Sequence, residues 1–164
     1  MWARDDGKLE RVRALMAEHD LDALVVRAPD NVLYLTNFWG MKSYDACVFP
    51  REGEPVLISI EASEEDIART AWTKDVRFVQ GYAPNDPRPV PSRTLDAALE
   101  AVRPYERIGL ELSMGTQATD RMVGEPTTFT KAWFDAFDGA GDGTPLLNRA
   151  RMLKTEQELS LIHI

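Results

Sequence analysis

Short apolar runs that alternate with amphipathic stretches constrain this chain more than any other feature. Ala23-Leu24-Val25-Val26, Ala46-Cys47-Val48-Phe49, Pro55-Val56-Leu57-Ile58-Ser59-Ile60, Val76-Arg77-Phe78-Val79 and Arg107-Ile108-Gly109-Leu110-Glu111-Leu112 each have strand length and turn formers nearby. Runs this short and this rich in Val, Ile and Leu read as strands of a largely buried sheet. Between them the period lengthens: Leu9, Val12, Leu15 and Met16 share one helical face, Lys8, Glu10, Arg11 and Arg13 lie opposite, and Asp5 or Asp6 can cap the start. After Pro29-Asp30-Asn31, VLYLTNF predicts a brief helix with an aromatic tail. Ser63-Glu64-Glu65-Asp66 opens another through Ile67, Ala68 and Ala71, and Leu95, Ala98, Leu99 and Val102 form a third that Pro104 ends. Arg51-Glu52-Gly53-Glu54 has the composition of a turn joining two antiparallel strands. Residues 84–92, PNDPRPVPS, hold four prolines and read as a surface loop. Beyond residue 113 the pattern predicts a short helix in 116–124, a second over Thr130 to Phe137, and a glycine-rich turn at 138–143. The expected class is α/β, a layered domain on a mixed sheet.

At 164 residues, 44% hydrophobic and 28% charged, the chain is long enough for one well-buried core. Its net charge of -8 sets a field that repels phosphate, so neither nucleic acid nor an anionic membrane is an expected partner. Cys47 is the single cysteine, which excludes an internal disulfide and fits a reducing, cytoplasmic setting. Neither an export signal nor an 18-residue apolar run is visible, so no membrane association is expected.

The residues that carry chemistry elsewhere do not assemble into a motif here. DGAGDG lacks the G-x-G-x-x-G spacing and follows a helix rather than a strand. Read as a calcium loop, it places Ala140 where a ligand oxygen belongs and Arg149 at the bidentate position. His19 and His163 stand in no metal-ligand spacing; His19 closes the first helix, and Cys47 reads as apolar filler in a strand. Glu61, Glu64, Glu65 and Asp66 read as a solvated helix start. From its own residues, the chain alone is not expected to be an enzyme.

Two stretches carry a resemblance. NVLYLTNF at 31–38 is similar to an N-(I/V)-x-Y-(L/F)-(T/S)-G-F pattern, with Asn37 in the glycine position, and RARMLKTEQEL at 149–159 is similar to L-R-x-(I/V)-K-(T/S)-x-x-E. These patterns bracket the N-terminal domain of the creatinase, prolidase and aminopeptidase-P family, the pita-bread metallopeptidases, and the order of strands and helices agrees. The resemblance implies a three-layer creatinase-type domain, a mixed β-sheet with helices on both faces. It implies a cap and dimerisation domain at 1–143, a linker strand at 144–154, and at 155–158 the start of a catalytic domain that the chain lacks. That domain would hold two divalent ions (Mn, Co or Zn) on two Asp, one His and two Glu, none of which matches a residue here, so neither a metal nor a catalytic residue is expected in this chain. The parent is expected to be a homodimeric Xaa-Pro dipeptidase or aminopeptidase-like hydrolase. A relative with creatinase-type C–N hydrolase or lyase chemistry, and a stand-alone interaction module, are the alternatives.

Within this resemblance the loop 38–44 is expected to wall the active-site entrance. Trp39 and Tyr44 are the candidate substrate-pocket residues, presenting flat faces to a prolyl ring or similar group; the competing reading makes them core or dimer-interface aromatics. The last residues differ in kind. Leu-Ser-Leu-Ile-His-Ile at 159–164 is what CTGTCTCTTATACACATC encodes, the mosaic end of a transposase-based library adaptor, so this segment is expected to be adaptor-derived.

Overall fold

The computed structural model describes residues 3–40, 44–112 and 127–162. In chain order these form α1 (Asp6–Glu18), β1 (Ala23–Val26), α2 (Pro29–Thr36), β2 (Ala46–Pro50), β3 (Val56–Ile60), α3 (Glu64–Thr70), β4 (Asp75–Val79), α4 (Val90–Val102), β5 (Ile108–Leu110), α5 (Thr127–Ala136), β6 (Gly141–Asp142), α6 (Thr144–Met152) and α7 (Glu156–Ile162). The helix expected in 116–124 and His163 lie outside the described residues.

The strands make one six-stranded sheet in the order β4-β3-β2-β1-β5-β6. β2 runs antiparallel to β1 and β3, with Val25 opposite Val48 and Cys47 opposite Leu57, while β3/β4, β1/β5 and β5/β6 pair in parallel. Alternation of side chains divides the core in two. Leu24, Val26, Cys47, Phe49 and Leu57 face a layer built from α1, α2, α3 and α6. Ala23, Val25, Ala46, Val48, Val56 and Ile58 face α4 and α5, where Trp133 stacks on Phe137 at 5.9 Å between ring centroids. The domain is therefore three-layered, helices on both faces of a mixed sheet. Cys47 is fully buried, which pushes its thiol well above the usual range and makes it a packing group.

Local signals account for most helix ends. Asp5 caps α1, accepting the backbone N–H of Lys8 at 3.0 Å. α2 ends on Asn37 in the left-handed conformation (φ 59°), where the family pattern carries glycine; Asn tolerates that backbone and here also donates to Thr70 O at 2.8 Å.

Two expectations are corrected. Residues 144–154 do not form a strand, since 144–152 is helix α6: Pro145 sits in the first turn, where its missing N–H is not needed, and Leu146, Leu147 and Ala150 recur at helical spacing to bury against α1. The proline-rich loop also ends earlier than expected, because Val90-Pro91-Ser92 is already the first turn of α4 and Pro91 is accommodated for the same reason.

Candidate functional site

The two signature stretches meet in space. Glu111, just past β5 and 2% exposed, accepts the backbone N–H groups of Arg27 and Ala28, both at 2.9 Å, and the side-chain amide of Asn31. It thus supplies acceptors to the N-terminus of α2, whose own N-cap, Ala28, has no side chain to do so. Arg151 donates to Asn31 Oδ1 at 2.7 Å, and the Tyr34 hydroxyl donates to Ala150 O at 3.1 Å. Asn31 and Tyr34 of the first stretch are therefore fastened to α6 and to the end of β5, and their work there is architectural.

The second stretch is tied down at its other end. Thr155 and Glu158 form a reciprocal cap on α7: the Thr155 N–H donates to Glu158 Oε2 at 3.0 Å and the Glu158 N–H to Thr155 Oγ1 at 3.1 Å. The Thr155 hydroxyl also donates to Asp5, so one carboxylate caps α1 and holds α7. Lys8 Nζ lies 3.6 Å from Glu158 and 4.5 Å above the Tyr34 ring, and burial lowers its pKa. Burial likewise pushes the Tyr34 hydroxyl up to about 12. The start of α7 is thereby tied to α1 by side chains from both ends of the chain. Met152 and Leu153 stay exposed there, at 79% and 62%.

A separate hollow of about 240 Å³ lies where α2 runs into β2. Trp39 and Tyr44, the two residues singled out in the sequence, both line it, together with Phe38, Asp45, Ser63 and Asp66 among others. Trp39 is half exposed and Tyr44 partly buried, so Trp39 is not a core residue. Asp45 is 6% exposed. It accepts the Ser59 hydroxyl, and burial nevertheless raises its pKa, the hydrogen bond opposing that shift only in part. Gly40 makes room for it, since a Cβ at position 40 would clash with Asp45 Oδ2. Sequence reading passed over Asp45, although a lone carboxylate abutting an apolar strand was visible; its partner Ser59 belongs to the next strand. Asp66, expected to be solvated, rims the hollow and pairs with Arg69 at 2.6 Å.

A larger hollow of about 500 Å³ is lined by His19, Asp20, Arg107, Phe137 and the glycine-rich turn. Its arginine is paired: Arg107 meets Asp20 at 2.6 Å and the neighbouring Asp22 at 2.7 Å and holds Asp22 at about 2. Among the described residues no three His, Cys, Asp or Glu gather to hold a metal ion, and no helix is long and apolar enough to cross a membrane.

Comparison with known proteins agrees with this architecture. Residues 8–152 match the Creatinase/Prolidase N-terminal domain, and the chain belongs to that family. Ectoine hydrolase of Halomonas elongata is 32% identical over 68 residues, which is 40% of this chain and 17% of that protein. Among solved structures, the prolidase of Pyrococcus horikoshii OT3 superposes with a TM-score of 0.64 at 15% identity over 95% of this chain and 38% of its own. The N-terminal domain of the cytoplasmic peptidase PepQ of Mycobacterium tuberculosis H37Rv superposes with a TM-score of 0.60 at 20% identity, covering 88% of this chain and 98% of that one. The chain thus has the extent of an N-terminal domain and about two fifths of the length of the prolidase.

Proposed function

We propose that this domain is the non-catalytic cap of a two-metal Xaa-Pro dipeptidase or aminopeptidase, walling the active-site entrance with Trp39 and Tyr44 and supporting a cytoplasmic homodimer. The observation that carries the reading is the hollow itself: the two aromatics nominated as the wall line one concavity, with Trp39 half exposed beside a buried carboxylate. In this reading residues 1–143 are the cap and 144–154 the connection. Residues 155–158 open the catalytic domain, and the ions, manganese, cobalt or zinc, are held there. Two metals would polarise the scissile carbonyl and generate the attacking hydroxide; the cap contributes exclusion of water and limits on substrate length.

The test uses the full-length parent. Trp39→Ala is expected to raise KM for Xaa-Pro substrates about tenfold, the loss of about 1.4 kcal/mol of binding, with kcat little changed. Unchanged kcat/KM for every substrate length overturns the wall. Metal-dependent peptidase activity from residues 1–158 alone overturns the non-catalytic assignment.

A second reading is favoured by the match to ectoine hydrolase. There the same cap serves a hydrolase acting on a small non-peptide molecule, since fold alone does not fix chemistry. Assay of the full-length protein with an Xaa-Pro dipeptide against ectoine and creatine separates the two.

A further inference from the structure

A wall needs no buried charge, yet this one has Asp45. Asp45 is only 6% exposed; its carboxylate accepts the Ser59 hydroxyl at one oxygen, its own backbone N–H also bonds it, and the other oxygen faces the glycine backbone at position 40. Among the described residues no Lys, Arg or His comes within ion-pair distance of it. A buried carboxylate is normally paired, because the charge loses its hydration without compensation. The neighbouring surfaces are aromatic: Phe38, Trp39 and Tyr44 line the same 240 Å³ hollow. Aromatic faces carry negative potential and attract a desolvated cation far more than an anion or a neutral group. The chain's net charge of -8 adds a field of the same sign.

We infer that this hollow is a subsite for a small organic cation, a substituted ammonium or guanidinium group, with Asp45 as its counter-charge and Trp39 and Tyr44 as its aromatic sides. The inference rests on the cap reading for the statement that the cation belongs to the substrate. The binding itself belongs to this chain. A cation seated there gives Asp45 a counter-charge that no described residue supplies and covers the half-exposed indole of Trp39. Ser59 holds the carboxylate in place, and Gly40 leaves the space that the carboxylate occupies.

The isolated chain tests this without any catalytic half. The indole N–H resonance of Trp39, assigned by its loss in Trp39→Phe, is followed by NMR during titration with tetramethylammonium and with methylguanidinium. Sodium chloride at matched ionic strength and tert-butanol serve as controls. Saturable shifts are expected for the organic cations only, with midpoints on the order of 10 mM. Asp45→Asn is expected to weaken them at least tenfold. Trp39→Leu, followed on the Tyr44 ring resonances, is expected to abolish preference for the cation over tert-butanol while Asp45 remains. Equal response to tert-butanol, a response no different from sodium, or titration unaffected by Asp45→Asn overturns the inference. These outcomes are distinct from failure of the cap reading, which is decided by kcat/KM of the parent.

Discussion

Glu111 and Asp45 are both carboxylates buried beside a strand end, 2% and 6% exposed, and the molecule treats them in opposite ways. Glu111 collects two backbone N–H groups and the Asn31 amide at the positive end of α2, so its charge meets donors that the helix must satisfy somewhere. Asp45 receives the Ser59 hydroxyl and its own backbone N–H, lines an opening, and still has its pKa raised by burial. A buried charge surrounded by backbone donors holds a fold together. One that meets only a neutral hydroxyl and its own backbone N–H beside an aromatic hollow is a cost to the fold, tolerated where a ligand compensates it.

Removing each group gives effects of opposite sign. Glu111→Ala leaves the donors of Arg27, Ala28 and Asn31 buried without their acceptor, and a loss of about 3–5 kcal/mol is expected in denaturant titrations. A loss below about 1 kcal/mol would mean that water replaces the carboxylate and that the contrast is false.

Asp45→Asn is expected to stabilise the domain at pH 7–8, by about 1 kcal/mol, because it keeps an acceptor for Ser59 and removes a desolvated charge. The sign follows from the raised pKa: the folded state holds the Asp45 proton more tightly than the unfolded chain does. Its contribution is present below the unfolded carboxylate pKa of about 3.9 and lost as pH rises through the higher folded value. The gap between variant and wild type should therefore close toward pH 4 in thermal melts. A variant less stable than wild type at pH 7–8 would place Asp45 with Glu111 as an architectural group.

The smallest effect is expected at the far end of α2, where Asn37 adopts φ 59° and bonds Thr70 O. Asn37→Gly exchanges a hydrogen bond for an unstrained backbone, and thermal melts should place it within about 0.5 kcal/mol of wild type. A larger loss would show that the Asn37 amide, like Glu111, fastens the helix rather than merely permitting its end.

Much of this was legible in the residues. The strands, the hairpin, the Asp5 cap and the apolar face of α1 follow from local period and capping chemistry, and the two signature stretches carried the family. Trp39 and Tyr44 were nominated from one loop and fall in one hollow, five residues apart in sequence. Asp45 and Glu111 were not nominated, because their meaning depends on Ser59, fourteen residues away, and on Asn31, eighty residues away. Residues 90–92 were misread because a proline read as a breaker is also well suited to a helix's first turn; the strand at 144–154 was expected from the resemblance alone, and β6 lies within the stretch read as a turn.

By itself, then, the sequence determined the first five strands, the helices α1 to α4 and which family the chain resembles, since period, capping and motif are properties of neighbours along the chain. The tertiary structure alone decided which of two buried carboxylates is saturated and which stands open. Desolvation and hydrogen-bond supply depend on groups that the fold brings together from distant positions, and no local pattern encodes them.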